Sequence, residues 1–174
     1  MTPDKIYLVG FMACGKSTLA RALAARLDWR AEDIDDLIEA RERQSIAAIF
    51  LRQGEPYFRA AERDVLQLVQ PLRHVVVATG GGTFADPANR ALINLDGVSV
   101  WIDVPLAELI PRLPLDGRRP LARDRAELER LYAARVEGYR QAHARVAAAG
   151  RSVEALVDDV IALLAARPAV QPFG

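Results

Sequence analysis

The chain has 174 residues, 51% of them hydrophobic and 26% charged, with 23 basic side chains balancing 23 acidic ones. That describes one soluble globular domain with a real core, and a net charge of zero gives no electrostatic case for nucleic acid or an anionic membrane. Two histidines and one cysteine are too few for a structural zinc site, a lone cysteine rules out an intrachain disulfide and suits a reducing compartment, the N-terminus lacks a basic region followed by an apolar one, and no apolar run approaches the length of a membrane span, so the cytoplasm is the expected location.

The first element is a short apolar strand, Ile6 to Val9. It ends at Gly10, and a helix pattern begins at about Gly15, with Leu19, Leu23 and Leu27 at i, i+4 spacing. Between them lies Gly10-x-x-x-x-Gly15-Lys16-Ser17. A strand-to-helix turn of this kind aims several backbone N–H groups at one spot, and the helix start adds partial positive charge, so a polyphosphate binds there. Lys16 reaches the β- and γ-phosphates, and the Ser17 hydroxyl is placed for Mg²⁺. Ala13 and Cys14 fill positions where glycine and another small residue are common. Lys5 and Lys16 are the only lysines in an arginine-rich chain. Cys14 sits just before a helix start and two residues from Lys16, which favours a reactive thiolate. The alternative is a buried, inert side chain.

A second strand is expected over Trp29 to Ile34, ending in Glu32-Asp33-Ile34-Asp35-Asp36. If the segment stays extended, period-2 spacing puts Asp33 and Asp35 on one side, beside the phosphate loop. One carboxylate would then serve Mg²⁺ and the other a substrate hydroxyl. The competing reading is an acid-enriched helix start. Ser45 to about Arg52 reads as a helix broken at Gly54-Glu55-Pro56, with Pro56 suited to the first turn of the next. Arg59 in that first turn is ill-placed against the helix dipole, which hints at an anionic partner; a solvated arginine is the other reading.

His74 to Ala78 is a Val-rich strand running into Thr79-Gly80-Gly81-Gly82-Thr83. Three successive glycines make sense where a ligand lies against bare backbone. Asp86-Pro87 opens a helix to about Asn94, Val98 to Ile102 is the next strand, and Pro105 starts a helix to about Arg112. The Pro-, Gly- and Arg-rich stretch 111–125 has no apolar period and reads either as a lid closing arginines over phosphates or as a plain basic loop. A long helix follows with Leu128, Leu131, Tyr132, Val136 and Tyr139 on one face and Arg135 off it. Ala144 to Ala148 is a weak strand, Ser152 caps a final helix to Leu164, and 167–174 should be a frayed tail. Strands alternating with helices give an α/β, three-layer αβα nucleotide-binding domain with a parallel sheet.

Taken in order, these signals resemble the shikimate kinase family over nearly the whole chain. Gly10-Phe-Met-Ala-Cys-Gly-Lys-Ser-Thr18 matches its loop apart from the middle glycine, and Asp33-Ile-Asp35-Asp-Leu-Ile-Glu39 its Asp-x-Asp segment. Ser45-Ile46, Ile49-Phe50, Gly54-Glu55-x-x-Phe58-Arg59-x-x-Glu62, Gly80-Gly81-Gly82, Arg119-Pro120-Leu121 and Arg135-x-x-x-Tyr139 complete the series. The chain departs from the family at Arg43-Gln44, where a glycine is usual, and after the last strand.

The resemblance implies ATP-dependent phosphorylation of the 3-hydroxyl of shikimate, with ATP and Mg²⁺ as cofactors. It implies a single kinase domain over 1–166, with substrate-binding helices over about 36–70 and a lid over about 113–125. Ser17 and Asp33 would hold Mg²⁺. Ala13, Cys14, Gly15, Lys16, Ser17 and Thr18 would cradle the nucleotide, with Arg112 on the adenine. Asp35, Lys16 and Arg119 would be catalytic, Asp35 as the base and Arg119 reaching the transferring phosphate from the lid. Arg59 and Arg135 would grip the shikimate carboxylate, with Gly81 and Gly82 as backbone donors. Shikimate and ATP are the expected partners of a chain acting as a monomer. The alternatives are a gluconate- or nucleoside-type kinase, or an interaction module that has lost catalysis.

Overall fold

In a computed structural model, residues 3–113 and 125–166 are described. Five strands form one parallel sheet: β1 (Lys5–Val9), β2 (Arg30–Asp33), β3 (Val75–Ala78), β4 (Val98–Asp103) and β5 (Ala144–Ala147), in the order β2-β3-β1-β4-β5. The register runs Ile6 opposite Val76 on one side and opposite Val98 on the other. β1 and β3 are buried throughout, as the apolar runs Ile6–Val9 and Val75–Ala78 suit central strands covered on both faces, with Lys5 buried at the start of β1.

The helices are α1 (Lys16–Leu27), α2 (Ile34–Glu42), α3 (Ile46–Val69), α4 (Pro87–Asp96), a short α5 (Leu106–Leu109) continued by a 3₁₀ turn (Ile110–Arg112), α6 (Arg125–Tyr139) and α7 (Val153–Ala166). Helix starts follow the sequence signals. Asp33, Ser45 and Asp86 each cap through their side-chain oxygen, and the Ser152 hydroxyl accepts from the Ala155 N–H. α3 is two helices joined at Gly54, whose φ of 82° and ψ of 173° are non-helical, with Pro56 in the first turn beyond. The break expected at Gly54-Glu55-Pro56 is therefore present, but it is a kink and not a loop.

Of the two readings of the segment from Asp33 to Asp36, the structure takes the helix start. The second strand stops at Asp33, and Asp35 lies in the first turn of α2, so period-2 alternation does not align the two carboxylates. The Asp33 side chain accepts from the Asp35 and Asp36 N–H groups, and this local bonding favours the helix over further strand. In α6, Arg135 is buried along with Leu128, Gly138 and Tyr139. Leu131, Tyr132 and Val136 pack half-buried against the core, so the inward side of α6 takes in the apolar stripe and Arg135 as well.

Since the strands are parallel, their carboxyl ends share one edge of the sheet, where Val9, Asp33, Ala78 and Asp103 end β1 to β4. The order reverses about β1, and a cleft is expected at that switch point.

Candidate active site

The loop from Gly10 to Gly15 turns tightly over the end of β4. A Cβ on Gly10 would sit 2.7 Å from the Ile102 carbonyl oxygen, so only glycine fits there. Gly15 is the N-cap of α1 in the left-handed region at φ 92°, with no side-chain cap and no acidic residue in the first turn. The amides of that turn are thus not claimed by a capping side chain. Ala13 is also left-handed, at φ 62°, in the place of the missing glycine. Lys16 is buried and folded over the loop, with Nζ donating to the Gly10 and Phe11 carbonyls at 2.8 Å each. Cys14 is 5% exposed, and its Sγ lies 3.1 Å from where a Gly10 Cβ would be. Of the two readings of Cys14 the structure takes the buried one, with Lys16 Nζ 3.5 Å from Sγ. The side chain packs beneath the loop, so any contact of Cys14 with a ligand in the cradle falls to its backbone.

A cleft of about 320 Å³ opens beside this loop, lined by Ala13, Gly15, Lys16, Ser17, Thr18, Asp33, Asp35, Thr79, Gly81 and Arg112. Across it the Ser17 hydroxyl donates to Asp33 Oδ2, joining the start of α1 to the end of β2. A hydroxyl and a carboxylate in contact are hard oxygen donors of the kind Mg²⁺ takes, with phosphate and water oxygens filling its remaining positions. The residues present fit that ion, although no three metal-ligating side chains cluster among the described residues.

The three glycines after β3 receive one functional side chain each. A Cβ on Gly80 would lie 3.0 Å from Asp35 Oδ1; on Gly81, 3.0 Å from Arg135 Nη1; on Gly82, 2.6 Å from Arg59 Nη2. Side chains from α2, α6 and α3 thus converge on three consecutive residues of bare backbone. The run of three glycines had signalled that close approach.

The two arginines are held differently. Arg59 pairs with Glu62 at 2.9 Å and Glu55 at 3.3 Å. Burial opposes its charge, but the two carboxylates outweigh burial and raise its pKa above the usual guanidinium value. Arg135 sits over the Phe11 ring, 5.5 Å from its centroid, and burial lowers its pKa below the usual value. A buried guanidinium depressed by desolvation is an arrangement that an incoming anion relieves.

Sequence reasoning quoted Glu62 only within a motif. It is fully buried, holds Arg59, and accepts from the Thr83 hydroxyl at 2.5 Å. An acid three residues after an arginine on one helix was the available signal. Phe11 had no signal beyond its place in the loop. Of the expected site residues, all but Arg119 are described, and they surround this cleft and the glycine loop. Arg119 and most of the expected lid, like the 167–174 tail, lie outside the described residues.

The shikimate kinase family model matches residues 12–165. A shikimate kinase of Persephonella marina is 38% identical over 157 residues, covering 90% of this chain and 96% of its own. Among solved structures, a shikimate kinase from Acinetobacter baumannii in complex with shikimate superposes with a TM-score of 0.89 at 32% identity, covering 94% of both chains. One from Aquifex aeolicus gives 0.85 at 33% identity, covering 92% of this chain and 96% of that one.

Proposed function

The chain belongs to the shikimate kinase family, and on that premise we propose that it transfers the γ-phosphoryl group of ATP directly to the 3-hydroxyl of shikimate. The observation that carries the acceptor assignment is the convergence of Arg59 and Arg135 on the adjacent Gly82 and Gly81. Two guanidinium forks at one point suit a carboxylate, which arginine binds bidentately. A nucleoside acceptor offers no carboxylate to that pair; gluconate does, and the acceptor panel below separates it from shikimate.

In this reading Arg59 and Arg135 hold the acceptor by its carboxylate, with backbone N–H groups of Gly81 and Gly82 completing the grip. That leaves the 3-hydroxyl near Asp35. Asp35 accepts the hydroxyl proton as the oxygen bonds to the γ-phosphorus and the bond to the β-phosphate oxygen breaks, leaving ADP. Lys16 leaves its loop carbonyls to neutralise charge on the transferring group. Arg112 lies against the adenine, and Arg119 supplies further positive charge from the segment between the 3₁₀ turn and α6. Ser17 and Asp33 would hold Mg²⁺, which when bound neutralises phosphate oxygens and aligns them for displacement. The single cysteine and the absence of a disulfide support a reducing compartment, and we place the activity in the cytoplasm on a monomer.

A coupled assay with ATP and, in turn, shikimate, gluconate and nucleoside monophosphates tests this. Turnover is expected with shikimate alone, and phosphorus–proton correlation on the product should locate the new ester at position 3. Turnover of gluconate or a nucleotide without shikimate would overturn the assignment.

A further inference from the structure

The Gly80–Thr83 segment is a β-turn, closed by the Thr83 N–H donating to the Gly80 carbonyl at 3.1 Å. Its central peptide joins Gly81 to Gly82. Type I and type II turns differ by rotation of that one peptide, and type II requires a positive φ at the second central residue. Glycine takes either sign of φ without steric penalty, so a Gly-Gly turn has no side chain to choose between the two. Here neither glycine has positive φ, and the turn is on the type I side. The Tyr139 hydroxyl donates to the Gly81 carbonyl, which is the carbonyl of that same central peptide.

In a trans peptide the C=O and N–H point in opposite directions, and the described residues include no cis peptide. Holding the Gly81 oxygen toward Tyr139 therefore turns the Gly82 N–H away from it. A rotated peptide would reverse the two and put a carbonyl oxygen where the N–H had been. An anion is attracted by the first arrangement and repelled by the second.

We propose that Tyr139 is a positioning residue for the acceptor: its hydroxyl locks the Gly81–Gly82 peptide in the orientation that presents an N–H, and not a carbonyl oxygen, to the carboxylate. This rests on the acceptor reading above. Three features fit the role. Tyr139 is 1% exposed and its ring packs 6.0 Å from that of Trp101, so its hydroxyl has little freedom. It lies one helical turn beyond Arg135 on α6, so one helix carries both the arginine and the lock. Gly138 beside it allows close docking, since a Cβ there would come within 3.1 Å of Ala85 Cα. Burial also holds the phenol well above its ordinary pKa, partly offset by Arg135, so it remains a donor at neutral pH.

The test compares shikimate with its methyl ester in wild type and in Tyr139→Phe, which keeps the ring and removes the donor. In the variant, kcat/KM for shikimate should fall about tenfold, consistent with losing one buried hydrogen bond. The preference for shikimate over the ester should narrow by the same factor, with the ATP KM within about twofold. A purely structural loss would lower both acceptors alike, and a loss acting through Arg135, which the phenol also contacts, would leave the Gly82 amide of the variant still shifting on shikimate and so overturn the lock. Preference carried unchanged into the variant overturns the inference alone. A wild-type enzyme without that preference overturns the acceptor reading and this inference with it. An independent measurement needs no variant: the Gly82 amide proton of the wild type should shift on adding shikimate and not on adding the ester. A Gly82 resonance that ignores shikimate also overturns the lock.

Discussion

The Arg59 guanidinium meets the Glu62 carboxylate at 2.9 Å, with the Glu62 side chain fully buried and that of Arg59 21% exposed. The acid faces the interior and the base reaches Gly82 of the glycine loop. Glu62 also takes the Thr83 hydroxyl, so one carboxylate ties α3 to the glycine loop. Arg59→Ala should raise the shikimate KM about ten- to a hundredfold, the worth of a charge-assisted hydrogen bond, and leave the ATP KM nearly unchanged. It should also lower thermal stability, because Glu62 is left buried without its cation. A variant that weakens ATP and not shikimate would move Arg59 to the nucleotide.

Lys16 has two tasks that one substitution separates. In Lys16→Ala, turnover should fall by a hundredfold or more, since donors aimed at developing charge contribute about 3–4 kcal/mol to the transition state. Stability should fall by only about 1–2 kcal/mol, the order expected for leaving loop carbonyls short of a donor. Steady-state kinetics and a urea titration on the same preparation distinguish the two. Turnover within about twofold of wild type would dissociate Lys16 from the chemistry.

Lys5 is the other lysine, and it lies at the end of β1 away from the cleft. Its fully buried ammonium donates to the Val69 carbonyl at 3.0 Å, the Gln70 carbonyl at 2.6 Å and Asp96 Oδ2 at 2.7 Å. Three donors on a compact charge match three acceptors, a pattern that the flat fork of arginine does not reproduce. Lys5→Met leaves Asp96 with the Tyr7 hydroxyl but without its cation, and should destabilise the chain by about 3–5 kcal/mol in urea unfolding. Both KM values should stay within about twofold. Altered KM with normal stability would mean the cluster communicates with the cleft.

Arg43 ends α2 in the left-handed region at φ 53°, exposed, at the position where the sequence departs from a usual glycine. Arg43→Gly removes a backbone penalty and should stabilise the chain by about 0.5–1 kcal/mol, read as a higher Tm. Arg43→Ala is the control, because alanine keeps the penalty. Equal gains from both would assign the effect to the lost side chain.

All four tyrosines have pKa values above the ordinary phenol, with burial the first cause at Tyr7, Tyr132 and Tyr139 and the hydrogen bond to Glu42 first at exposed Tyr57. A folded pKa raised above the unfolded one means the unfolded chain gives up its protons first. Stability is therefore full below about pH 10 and falls as pH rises beyond it. Absorbance titration of native enzyme should show little phenolate at pH 10, with the remainder appearing on unfolding. Four phenols titrating freely near pH 10 would contradict the burial of Tyr7 and Tyr139.

The sequence by itself determined whatever depends on neighbours along the chain. Gly10, Gly15 and Lys16 set the loop between strand and helix, because backbone conformation and capping are local. The run Gly80-Gly81-Gly82 announced close approach, and Asp86-Pro87 and Ser152 fixed helix starts. Tertiary structure decided which distant side chains meet. Spacing left Asp33 and Asp35 between an extended end and a helix start, and capping by Asp33 turns the chain helical before alternation continues. Arg135 read as lying off its apolar face, yet it is buried because the inward side of α6 is chosen by docking on Gly81 and Ala85, contacts more than fifty residues away in sequence. Cys14 looked reactive beside Lys16, and only the packing of its Sγ beneath Gly10 removed it from the cleft. Charge and spacing along a chain name the candidates, but burial is a property of the assembled layers, and burial decided each of the last two outcomes.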